Sequence, residues 1–144
     1  MIDGGLRGLF RTQLTKRGYQ FTPIETGGTT RGVPDSEYCS SDGISGWLEY
    51  KQTKANTVQI SPEQVGWVLQ RNRCNGKVFI AIRKKCSIGK RRKACDELWL
   101  LHGKDAALLK EFGLSCKEIK VLGIWSGGPK QWNWNELDLI LRGK

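Results

Sequence analysis

The sequence predicts an α/β fold: a mixed central β-sheet flanked by helices, formed by a single domain over residues 1–144. Three stretches predict it. Leu6, Leu9, Phe10 and Leu14 recur at helical spacing near the start. Two strand-like segments then flank SSDGISG, a run of turn formers, as a hairpin requires. Finally, Ser61-Pro62-Glu63-Gln64 has the signature of a helix start and leads into KVFIAI, a segment apolar on both faces. Helix, strand, strand, strand, helix and strand in that order make a sheet with helices against it.

In chain order, residues 4–17 form an amphipathic helix with Arg7, Arg11 and Lys16 off the apolar stripe, and Gly18 ends it. Tyr19 to Ile24 reads as the first strand, and Gly27 to Gly32 (GGTTRG) is too glycine-rich for a regular element. Glu49, Tyr50 and Lys51 lie on a strand, so Glu49 and Lys51 share one face while Leu48, Tyr50 and Gln52 take the other. In the helix starting at Ser61, Pro62 suits the first position and Gln64 the capping-box position; Val65, Val68 and Leu69 continue it, and Gly76 closes it. Lys77 to Ile82 is a buried strand, Asp96 to Leu101 a returning strand, and Lys104 to Phe112 a short helix closed by Gly113. Glu118 to Trp125 reads as a further strand, followed by a turn at Gly127-Gly128-Pro129 and a terminal helix capped at Asn133 or Asn135. The core is expected over about 6–102, with 103–144 as an extension.

Charge narrows the partner. The net charge is +10 and the sequence pI about 9.6, the balance of a chain that meets a polyanion. Arg83 to Lys93 (RKKCSIGKRRK) carries seven basic residues and no acidic one, so one segment supplies most of the excess. Like charges packed so closely repel one another unless a polyanion relieves them, although a solvated charged face is the common alternative. Five cysteines without a CxxC pair, and a single histidine, His102, give no zinc-site spacing. No start resembling a signal peptide and no apolar run near the ~20 residues of a membrane span is present. Reduced thiols in a cytoplasmic protein are therefore expected, with a Cys86–Cys95 disulfide across the basic loop as the alternative.

The chemistry concentrates between Gly32 and Lys54, GVPDSEYCSSDGISGWLEYKQTK. A hairpin here brings Asp35 beside Glu49, with Lys51 one repeat along the same face. Two carboxylates on one face repel, and one lysine does not relieve both. A hard divalent cation does, because Mg²⁺ or Mn²⁺ prefers oxygen ligands.

These residues resemble the PD-(D/E)xK nuclease superfamily, with Asp35, Glu49 and Lys51 in the motif positions. Within it the chain is most similar to archaeal and phage-type Holliday junction resolvases and VRR-NUC nucleases. GVPD, WLEYK, SPEQVGW (Ser61 to Trp67) and NGKVFIAI (Asn75 to Ile82) carry the likeness, which covers residues 6 to 83 in order and spacing. The resemblance implies a restriction-endonuclease-like core and a structure-specific DNA endonuclease that cuts four-way junctions by paired nicks. It implies Mg²⁺ (or Mn²⁺) held by Asp35, Glu49 and the Tyr50 backbone carbonyl, with Lys51 orienting the attacking water or binding phosphate.

Gln64 carries two readings side by side, a capping residue for its helix and a catalytic residue touching metal-bound water or phosphate. The family often adds an acidic residue on the first helix; the comparable slot falls near Arg7, which is basic, so a third carboxylate is left to Asp3 or Glu25. Arg31, Arg83, Lys84, Lys85, Lys90, Arg91, Arg92 and Lys93 are expected to contact DNA, and the GGTTRG loop either to flex or to approach the backbone. Nothing reads as a recognition helix, so shape rather than sequence selects the DNA. Trp125, Trp132 and Trp134 are read as packing or interface residues, with base stacking as the alternative. Two symmetric cuts call for a homodimer, for which the six tryptophans offer apolar surface. Neither a membrane nor a nucleotide cofactor is expected. A flap, nicking or restriction-type nuclease on the same fold, or a DNA-binding module without chemistry, are the alternatives.

Overall fold

The computed structural model describes residues 3–24, 31–91 and 93–144. Four helices, α1 (Leu6–Thr15), α2 (Pro62–Arg73), α3 (Ala106–Phe112) and α4 (Trp134–Leu141), surround six strands. The strands are β1 (Gln20–Pro23), β2 (Ser36–Cys39), β3 (Ser45–Thr53), β4 (Val78–Cys86), β5 (Cys95–His102) and β6 (Val121–Trp125). They form one mixed sheet in sequence order, β1-β2-β3-β4-β5-β6. Only β3 and β4 run parallel, because α2 carries the chain back between them; the other neighbours pair antiparallel.

The period of each segment decides which layer it joins. Leu6, Phe10 and Leu14 of α1 and Trp134, Leu137 and Leu141 of α4 are buried on one face of the sheet, against Leu48, Tyr50, Ala81, Leu98 and Leu100. Val68 of α2 and Ala106 and Leu109 of α3 cover the other face, over Val78, Ile80, Ile82 and Leu101. β4 contributes Phe79 and Ala81 to the first layer and Val78, Ile80 and Ile82 to the second, which is why its sequence is apolar throughout. No helix among the described residues is long and apolar enough to cross a membrane.

Several expectations require correction. The segment from Arg83 to Cys86 is not loop but the end of β4, paired in register with Leu98 to Cys95, so the loop proper begins at 87. Its polar side chains remain in a strand because neighbours satisfy them: Arg83 forks onto Asp96, and Lys84 Nζ donates to Asn56 Oδ1 at 2.8 Å. Cys86 and Cys95 are disulfide-bonded, with Cα atoms 5.1 Å apart, which replaces the reduced-thiol expectation for these two residues. The cause is register: they form the last cross-strand pair of the β4–β5 ladder. Cys39, Cys74 and Cys116 are free.

Beyond His102 the chain is no appendage. β6 extends the sheet from β5, and α4 completes the layer that α1 begins. Trp125, Trp132 and Trp134 are all buried in that layer, so their rings are spent on packing and are presented neither to bases nor to a second copy. The indole N–H groups of Trp132 and Trp134 donate to the carbonyls of Asp96 and Pro129. The strand expected from Glu118 begins only at Val121, because Cys116 and Ile119 close successive turns first. Asn133, not Asn135, caps α4, its side chain accepting from the Glu136 amide; Asn135 Oδ1 instead accepts from Arg17.

Candidate active site

The β2–β3 hairpin sets the two carboxylates side by side. Ser36 pairs with Leu48 in register, so the residue before one and after the other, Asp35 and Glu49, meet at the next rung. Asp35 is fixed from two directions: the Tyr50 amide donates to its Oδ2 at 2.8 Å, and Arg7 Nη2 approaches its Oδ1 at 3.3 Å. Behind them the Ser36 and Tyr50 hydroxyls are hydrogen-bonded at 2.8 Å. Gly32 lets the preceding segment press onto the start of α2. Its φ is +85°, and a Cβ there would collide with the backbone of Glu63. The GVPD stretch is thereby pinned between α2 and the hairpin.

Glu49 is only 5% exposed. Burial in this desolvated position pushes its pKa up to about 9, reinforced by the neighbouring Asp35 charge and by a hydrogen bond between the two carboxyls, against the opposing pull of Lys51 and Arg7. A carboxyl so placed holds a proton until something more positive displaces it.

Gln64 ties the strand to the helix and carries both of its expected roles. Its Oε1 accepts from the Ser61 backbone amide at 3.0 Å while the Gln64 backbone N–H donates to Ser61 Oγ at 3.1 Å, a complete capping box. The same Oε1 accepts from Lys51 Nζ at 3.0 Å, and Nε2 reaches the Glu49 carboxyl oxygens at 3.3 and 3.4 Å. One side chain therefore orients Lys51 and Glu49 while being oriented by the helix start. One turn further along α2, Trp67 meets Trp47 edge to face at 5.1 Å, and the Arg71 guanidinium lies over both rings. Trp47 precedes Glu49 on the same face of β3, so this stack holds α2 against the strand beside the site.

Sequence reasoning therefore places Asp35, Glu49, Lys51 and Gln64 together, as the structure does. It missed Arg7 as a member of the site, although the signal was present: Arg7 falls in the slot where an acidic residue was sought. Tyr50 meets Asp35 through its amide. Asp3 bonds the Gly5 amide at the start of α1, and Glu25 lies outside the described residues. Among the described residues no group of three or more His, Cys, Asp or Glu side chains is placed to hold a metal ion. The donor set is thus the Asp35–Glu49 pair. All-oxygen, and with carboxyls that a cation would relieve of their mutual repulsion, it suits one hard divalent cation that keeps much of its shell as water. His102 takes no part; its Nδ1 accepts from the Lys104 amide, and burial lowers its pKa.

The expected DNA contacts divide. Arg83 is withdrawn from them: Nε and Nη2 bond the two Asp96 oxygens at 2.9 and 2.7 Å, and Nη1 donates to the Gly4 carbonyl at 2.6 Å. Lys84 is held by Asn56 and lies over Trp99. Arg31, Lys85, Lys90, Arg91 and Lys93 are exposed. Arg92 and most of the GGTTRG loop lie outside the described residues. Comparison of the chain with family models, with curated proteins and with solved structures gives no match. The geometry stands by itself as the ground for a functional reading.

Proposed function

We propose that the chain is a Mg²⁺- or Mn²⁺-dependent DNA endonuclease acting on branched duplexes, four-way junctions foremost. The observation that carries this reading is the meeting of Asp35, Glu49, Lys51 and Gln64 on one face, with Glu49 buried against Asp35. A buried pair of carboxyls is costly to ionise without a cation, and groups perturbed by burial beside a like charge gather at sites of chemistry. The net charge of +10 supports a polyanionic substrate.

Asp35 and Glu49 would hold the cation, with the Tyr50 carbonyl as a further oxygen. Once bound, it supplies a water of lowered pKa and neutralises charge on the scissile phosphate. Lys51, already aimed by Gln64, orients the incoming water or the phosphate. Arg7 has its guanidinium beside Asp35, where it can pass from the carboxylate to a phosphate oxygen once the cation is in place. In the reaction a P–O bond forms to water and the bond to the 3′ oxygen breaks. The water proton passes to solvent, and the leaving 3′ oxygen takes one up.

Symmetric resolution of a junction needs two such sites, so this reading includes an isologous homodimer. A second reading, a flap or nicking enzyme with one site per substrate, gains from the burial of the C-terminal tryptophans, which removes the apolar surface a dimer would have used. Cleavage of junction, flap, nicked and linear duplexes in Mg²⁺ separates the two, together with light scattering of the free and DNA-bound protein. Asp35→Asn and Glu49→Gln should each abolish cleavage while leaving DNA binding nearly intact. Normal cleavage by either variant would overturn the assignment of the site; a monomer throughout would replace the resolvase by the single-cut enzyme.

A further inference from the structure

The β4–β5 hairpin projects past both of its neighbours. On one side β3 stops pairing at Thr53 opposite Lys84; on the other β6 pairs no further than Trp125 opposite Leu98. At the Lys85–Asp96 rung the Asp96 carbonyl still accepts from the Gly128 amide and the Trp132 indole, so the Cys86–Cys95 rung is the root of a two-stranded arm without a sheet on either edge. The Cys86–Cys95 disulfide closes the last rung and ties the two strands together at the base of the arm. Lys85 at this base and Lys90, Arg91 and Lys93 beyond it are exposed. Among these cations sits Ile88, 80% exposed, against 56% for Phe112, the next most exposed large hydrophobic residue among those described.

A wholly basic turn would suffice for phosphate contact, and a lone exposed aliphatic side chain on an ordinary surface needs no explanation. An aliphatic side chain at the end of a narrow, stapled, cationic ribbon is a different arrangement. It combines the two elements with which proteins grip the minor groove, cations for the flanking phosphates and an apolar wedge for a base step. We propose that this arm lies in the minor groove of a DNA duplex and presses Ile88 against a base step there.

Its distance from the cut rests on the nuclease reading above. Glu49 pairs in register with Ile80, and β4 runs from that rung to Cys86. At ~3.3 Å per residue the root of the arm lies on the order of 20 Å from the Glu49 rung. At ~3.4 Å per base pair that is roughly six base pairs of duplex. The arm therefore grips the same duplex more than half a helical turn from the scissile phosphate, and substrates trimmed closer than this lose the contact.

The experiment uses the full chain, Ile88→Ala and the triple variant Lys90→Ala, Arg91→Ala, Lys93→Ala. Duplex arms are either about twenty base pairs long or trimmed to about four on one side of the branch, with 2-aminopurine stepped along the long arm. The wild type should bind the long arm roughly five- to tenfold more tightly than the trimmed one. It should also raise 2-aminopurine fluorescence at steps about six to nine base pairs from the cut. Ile88→Ala should lose the fluorescence response and most of the length dependence, while still cleaving the trimmed substrate like the wild type. The triple variant should lower the slope of log K against log salt by about 0.9 per lost contact. A fluorescence response unchanged in Ile88→Ala, or equal affinity for long and trimmed arms, overturns the proposal. So does Ile88-dependent binding to anionic phosphatidylserine vesicles without any effect on DNA, which would make the arm a membrane contact. Should no substrate be cut while the length and fluorescence effects persist, the nuclease reading falls and the arm's role stands.

Discussion

Arg7 Nη2 lies 3.3 Å from Asp35 Oδ1, so the first helix delivers a cation to the carboxylate that a metal would need. The contact is part-buried, with 28% of the Arg7 side chain and 12% of the Asp35 side chain exposed. Arg7 thus competes with a divalent cation for Asp35. Replacing it by alanine should tighten Mg²⁺ binding severalfold in titration calorimetry, the equivalent of the ~1 kcal/mol that a part-exposed ion pair contributes. Cleavage should nevertheless slow, because the guanidinium is lost to the phosphate. Arg7→Glu should tighten Mg²⁺ further and weaken DNA binding. Mg²⁺ affinity that is unchanged or weaker in Arg7→Ala would show that the pair does not oppose the cation.

Gln64 serves the helix and the site through one carbonyl oxygen, and two variants separate the roles. Ser61→Ala removes the hydroxyl that caps α2 but leaves the bonds from Gln64 to Lys51 and Glu49. It should cost about 1 kcal/mol and a few degrees of Tm with cleavage retained. Gln64→Ala loses the contacts to Lys51 and Glu49 as well, and should reduce kcat far beyond what its Tm shift accounts for. Equal loss of cleavage in both variants would reduce Gln64 to a cap.

What was legible in the sequence followed local rules. The stripe Leu6, Phe10, Leu14, the Ser61-Pro62 start and the two-faced KVFIAI segment each state their own period, and the structure keeps all three. Asp35, Glu49, Lys51 and Gln64 were legible because a hairpin register and a capping box are short-range. What failed depended on strand register and packing that no local signal announces. Arg83 reads as one more cation in a basic run; only β4–β5 pairing brings Asp96 beneath it. The Cys86–Cys95 bridge stands in the sequence only as the alternative to reduced thiols, and the β4–β5 register decides for it. The C-terminal tryptophans read as surplus until α4 is seen packed beside α1, where the Phe10 and Trp134 ring centroids lie 5.3 Å apart.

The reassignment of Arg83 makes a prediction opposite to that for a DNA contact. Its guanidinium joins Asp96 on β5 to the Gly4 carbonyl ahead of α1 and lies over the Trp132 ring. Arg83→Ala strands the part-buried Asp96 carboxylate and frees the start of α1. It should destabilise by about 1–3 kcal/mol, lowering Tm by several degrees. Arg83→Lys should recover little, since an ammonium cannot fork. The salt dependence of DNA binding should not move in either variant. A shallower salt slope with unchanged Tm would return Arg83 to the DNA surface.

Glu49 should make the metal-free protein less stable as pH rises. Its folded pKa, raised to about 9 first by burial and then by Asp35, lies far above the ~4.3 of an exposed glutamate in the unfolded chain. Below the unfolded value both states carry the proton, and the side chain adds no pH dependence. Between the two values the unfolded chain releases the proton while the folded chain keeps it, so stability falls with rising pH, by at most ~1.4 kcal/mol per unit. The loss levels off above the folded value, where both states are ionised. Urea midpoints in chelator between pH 5 and pH 9 should therefore decline for the wild type more steeply than for Glu49→Gln, which has no proton to hold. Mg²⁺ requires the ionised carboxylate, so its stabilising effect should grow across the same window and be weak in Glu49→Gln. Parallel profiles for the two proteins, with and without Mg²⁺, would mean that Glu49 is ionised in the folded state and that its burial beside Asp35 has another explanation.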